Sequence, residues 1–122
     1  MSVTKSIRAL GEAMQRWWSD VVLSVAVSHS AIASSGAIDM RRYAGGWVEV
    51  PASLSSTSLA WYGCDEEDGT FLPIYYNGAA VTTTLPGGTA CIVEIPAACW
   101  SQYFVKALAN SDSDTIRVGR KT

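Results

Sequence analysis

The 122-residue chain sets nine Lys and Arg against eleven Asp and Glu, a formal net charge of −2. It therefore lacks the domain-wide basic footprint that neutralises phosphates, and nucleic acid is excluded as its main ligand. With 48% apolar and 16% charged residues, the chain is too apolar for a disordered segment and short of charge for a monomer that meets water on every side. One core of domain size is expected, with some apolar surface left to face other protein.

The first predicted element is a helix over residues 4–19. Ile7, Leu10, Met14, Trp17 and Val21 recur at spacings of three and four, while Lys5, Arg8, Glu12, Gln15 and Arg16 take the other faces. A stripe of about two heptads is too short to stand alone in water, so it must pack on something. It either covers one face or end of its own domain or associates with copies of itself or a larger assembly. The adjacent Trp17 and Trp18 favour assembly, because neighbouring bulky side chains cannot share one helix face. Charges spread through this segment fit neither a signal peptide's apolar region nor a membrane span, and the expectation is a chain made and kept in the cytosol until assembly.

From Asp20 the period changes to two, which divides the chain into a helical segment at 1–19 and a β-domain at 20–122. Val21, Leu23, Val25 and Val27 point one way and Val22, Ser24, Ala26 and Ser28 the other, as in a half-buried strand. After a Ser34-Ser35-Gly36 turn, Ile38 and Met40 oppose Asp39 and Arg41. The pair Gly45-Gly46 then marks a bulge or a close backbone approach. Next comes a strand in which Trp47 and Glu49 alternate with Val48 and Val50, stopped by Pro51. Further strands are predicted at 58–64, 71–76, 80–84, 90–95, 103–109 and 115–119. Turn chemistry at Asp68-Gly69, Asn77-Gly78, Gly87-Gly88 and Asn110-Ser111-Asp112 separates them. The fold class is mainly β: an antiparallel β-sandwich or jelly-roll-like domain of roughly eight strands, preceded by one N-terminal α-helix.

No residue set reads as catalytic. The single His29 lies among serines with no nucleophile and orienting acid singled out by spacing. The run CDEEDG at 64–69 lacks the ligand spacing of a calcium loop and reads as a solvated hairpin tip. Cys64, Cys91 and Cys99 match no zinc pattern and read as reduced, buried thiols. No cofactor and no metal is expected. Trp47, Trp61, Tyr62, Tyr75, Tyr76, Trp100 and Tyr103 serve either as core or as a sugar-stacking platform. In the adjacent pairs Trp61-Tyr62 and Tyr75-Tyr76 one member of each should face outward, which makes these four the candidate exposed aromatic surface. Arg41, Arg42, Arg117, Arg120 and Lys121 form two basic spots that either meet an acidic neighbour or stay solvated.

The segments SSGAIDM (34–40), WVEVPASL (47–54), TSLAWYG (57–63), EDGTFLPIYYNGAAV (67–81) and DTIRVGRK (114–121), in that order, resemble a family of small structural proteins of tailed phages and prophages. The resemblance spans most of the β-domain. It implies a non-enzymatic virion protein, a capsid decoration or head-fibre β-sandwich, made in the host cytoplasm and located in the virion. The helix and the Arg41-Arg42 pair depart from the family's pattern and read as attachment devices. The expected interface residues are accordingly Ile7, Leu10, Met14, Trp17, Trp18, Arg41 and Arg42, and the expected partner is the major capsid protein. A homo-oligomer, preferably a trimer, is expected, with neither nucleic acid nor membrane as partner. The rival expectation is a carbohydrate-binding sandwich of a tail or fibre.

Overall fold

The computed structural model describes residues 22–121, so the predicted helix at 4–19 lies outside the described residues. The chain is mainly β, in antiparallel sheets arranged as in a β-sandwich. One sheet has the order β1 (Val22–Val27), β11 (Asp114–Lys121), β3 (Gly45–Val50), β9 (Cys91–Glu94). The other runs β2 (Ile38–Asp39), β10 (Phe104–Ala109), β4 (Ser58–Cys64), β5 (Leu72–Pro73), with β8 (Thr82–Thr84) also on β4. A separate hairpin pairs β6 (Tyr75–Tyr76) with β7 (Ala79–Ala80). From β1 to β4, and again from β9 to β11, each connection carries the chain from one sheet to the other.

Period-two alternation decides what lies between the sheets. Val25 and Val27 of β1, Val48 and Val50 of β3, and Ile116 and Val118 of β11 face Leu59 and Trp61 of β4 and Val105, Ala107 and Ala109 of β10 in one continuous core. Ile38, Met40, Leu54, Ile95 and Cys99 close its ends. Along one side the two sheets are stitched together. Ser28 bridges Leu108, and the Ala109 N–H donates to the Ser28 carbonyl at 2.9 Å.

Three sequence expectations change in detail. The predicted strand at 71–76 divides into β5 and β6 and the one at 80–84 begins the hairpin's return, because Ile74 turns inward between them and bonds backbone to backbone with Trp61 and Val81. Asn77 (φ 51°) and Gly78 (φ 79°) make the tight turn that their sequence announced. The Gly45-Gly46 pair marks a close approach and no bulge: the β3–β11 register runs unbroken from Glu49 to Gly45, and a side chain on Gly46 would collide with the Gly119 carbonyl.

Beyond the core, a polar latch ties residues 53–58 to the β10–β11 turn. Ser56, fully buried, accepts from the Ser111 and Asp112 N–H groups at 3.1 and 3.0 Å and donates to the Asp112 carboxylate at 2.5 Å. Asn110 Oδ1 accepts from the Thr57 N–H at 2.9 Å, and Ser53 donates to Asp114 at 2.6 Å. These side chains satisfy backbone groups that two facing turns would otherwise leave open.

Candidate functional site

The turn between β9 and β10 forms a ridge with an aromatic cleft on each flank. Pro96 opens a 3-10 turn at Ala97–Cys99, and the Trp100 indole folds back to donate to the Ile95 carbonyl at 3.2 Å. On one flank, a cleft of about 420 Å3 is lined by Trp47, Trp100, Ile92, Glu94 and Lys121. Two glycines build it. The Trp47 indole lies on Gly119, its cross-strand partner, where a Cβ would collide with the ring, and the Trp100 ring lies 3.2 Å from where a Cβ on Gly45 would stand. On the other flank, Tyr75, Tyr76, Pro96, Ala97 and Ala98 line a groove of about 540 Å3.

Exposed apolar side chains concentrate around this ridge: Ile92 is 70% exposed, Tyr75 64% and Tyr76 66%, with Tyr103 also open. Ile92 and Glu94 share the outer face of β9, the strand at the end of its sheet. An edge strand presents unpaired backbone groups to a partner, and an apolar side chain on that edge adds area for docking.

The aromatic candidates separate. Trp61 is 1% exposed, its indole N–H donating to the Thr83 hydroxyl at 2.9 Å, and it belongs to the core and not to a surface. Tyr62, its neighbour, takes the outer face of β4 but is half-buried. Tyr75 and Tyr76 are both exposed, contrary to the rule that one of an adjacent pair turns inward, because the β6–β7 hairpin is a two-stranded sheet of its own. Trp47 and Trp100, which the sequence left open between core and stacking platform, line the cleft, and Ile92 was not among the expected surface residues. For Ile92 the signal was present, since alternation places it on the same face as the charged Glu94.

The basic residues also separate. Arg41 and Arg42 occupy the turn after β2 and are exposed. Arg41 grips Asp39 with both ends of its guanidinium, at 3.0 and 2.7 Å, and stands 4.8 Å from the Phe104 ring centre. Arg117 pairs with Glu49 at 3.2 Å on the outer face of the first sheet. Arg120 continues the inward set of Ile116 and Val118 and is buried. Ile7, Leu10, Met14, Trp17 and Trp18 lie outside the described residues.

The polar candidates hold no converging set. His29 Nδ1 and the Ser113 hydroxyl are 2.7 Å apart, and no carboxylate bonds the ring among the described residues. No group of three His, Cys, Asp or Glu converges on a common point there either. Cys99 is buried, and burial pushes its thiol up to about 12, so it stays protonated at neutral pH. Cys64 and Cys91 are half-buried, and all three are free thiols. No described helix is long and apolar enough to cross a membrane. No protein-family model, curated protein or solved structure matches the chain.

Proposed function

We propose that the chain is a non-enzymatic structural protein of a tailed-phage virion, a capsid decoration or head-fibre component that attaches to the major capsid protein. The observation that carries the proposal is the winding of the chain. The orders β1-β11-β3-β9 and β2-β10-β4-β5, with the first and last strands paired, support reading the domain as a jelly roll, an architecture of viral capsid and lectin domains. Winding alone does not fix function, since a fold hosts many. The proposal is supported by the β9 edge, unpaired among the described residues, with exposed Ile92, and by the exposed tyrosines beside the ridge, which suit a molecule held against other protein. The amphipathic stripe of residues 4–19 serves as the second attachment. Weak single contacts of this kind become firm when many copies repeat them.

Light scattering on the full chain and on a form beginning at Asp20 tests the attachment role. A trimer that becomes a monomer on truncation supports it, and two monomers overturn it. The cleft between Trp47 and Trp100 favours one second reading, a carbohydrate-binding module. Two indoles seated on glycine backbone, with Glu94 and Lys121 at the rim, offer stacking faces beside polar groups. Glycan binding abolished by Trp100→Ala would establish that activity.

A further inference from the structure

A further cavity, of about 370 Å3, opens near the C-terminal end of β11 between Leu23, Asp39, Arg41, Arg42, Tyr43 and Arg120. Its floor contains an unusual group. Arg120 is 6% exposed, its guanidinium carbon stands 4.4 Å from the Tyr43 ring centre, and its Nη1 donates to the Asp39 carbonyl at 2.8 Å. Its Nε is buried and, among the described residues, has no acceptor. A buried donor left without an acceptor sacrifices its hydration without return, and a charged one does so most.

The surroundings add charge of the same sign. Three guanidiniums face one carboxylate, and that carboxylate is already engaged by Arg41. Arg42 is exposed and makes no ion pair among the described residues. Stacking on Tyr43 and Phe104 fixes Arg120 and Arg41 in advance, so little side-chain freedom remains for them to lose when an acceptor arrives. We propose that this cavity binds a carboxylate, held by Arg120 from below and by Arg42 from the rim. The planar carboxylate matches the guanidinium edge. The volume is that of a small-ligand site, and the carboxylate is either an acidic side chain of a protein partner or a free small acid. The inference does not depend on the chain's belonging to a virion.

The test follows the arginine Nε–H signals of the 15N-labelled full chain by NMR at constant ionic strength. The probes are succinate, a blocked single-glutamate peptide and inorganic phosphate. Saturable shifts at Arg120 and Arg42, with Arg117 unmoved, are expected for a carboxylate probe. Saturation by the peptide alone assigns the site to a partner's side chain, and saturation by succinate assigns it to a free acid. Arg42→Gln is expected to weaken binding about tenfold, the effect of losing one charge-assisted hydrogen bond, while Arg117→Gln leaves it unchanged. Arg42 is on the surface, so its replacement does not threaten the fold. Shifts that never saturate and appear equally at Arg117, tighter binding of phosphate than of either carboxylate, or an Arg42→Gln variant that binds like the parent would each overturn the proposal.

Discussion

At the scale of single residues, the polar latch carries more than its size suggests. Ser56 is completely buried and its hydroxyl serves two backbone donors and one carboxylate. Ser56→Ala strands those groups and should cost about 1–3 kcal/mol, read as a lower urea midpoint with unchanged slope. The same hydroxyl, helped by the Ser55 N–H, holds the Asp112 carboxyl below its ordinary value of 3.8, and the Ser53 hydroxyl does so for Asp114. Asp39 is lowered in the same way, chiefly by its side-chain bond to Arg41. A carboxyl depressed on folding contributes stability above its unfolded value and loses it as pH falls through the folded one. Acid should therefore weaken the protein mainly below pH 3.8. Asp112→Asn should narrow the difference in urea midpoint between about pH 7 and about pH 2.5, since one depressed carboxyl has gone. Equal differences in variant and parent would show that Asp112 carries none of it.

At the scale of elements, glycines set two of the shapes that matter. Gly119→Ala should drive the Trp47 indole off its seat, since the added methyl and the ring claim the same space. The overpacking should cost about 1–3 kcal/mol and open the Trp47–Trp100 cleft, visible as a red-shifted tryptophan emission. Gly78→Ala meets nothing within 4 Å yet must hold φ at +79°. It should destabilise the β6–β7 hairpin by about 1 kcal/mol through backbone strain alone, and faster amide exchange confined to residues 75–80 is the check. Much of this was legible in the sequence. Alternation in Val22–Val27 and in WVEV names the inward residues, and Asn77-Gly78 names the turn. Arg120 was equally legible, two places beyond Val118 on the inward face, yet its charge suggests a surface. Alternation cannot say which strands pair. It also cannot say that Tyr75-Tyr76 falls on a hairpin with no sheet behind it, because both depend on contacts far apart in sequence.

At the scale of the whole molecule, the winding gives the β-domain two sheets, one shared core and several chemically distinct surfaces. The ridge with exposed Ile92, Tyr75 and Tyr76 offers apolar area, the glycine-seated tryptophans offer stacking faces, and the arginine cavity offers positive charge. None of the three brings together an acid, a base and a nucleophile among the described residues. The proposed attachment to a capsid uses the first of these surfaces together with the stripe predicted for residues 4–19. The most direct test of that proposal is the protein composition of tailed-phage particles purified from cells that produce the chain, quantified by mass spectrometry after removal of loosely bound material. The account predicts the intact chain in many copies per particle, in fixed proportion to the major capsid protein. Its absence from particles while it is abundant in the producing cell would contradict the account.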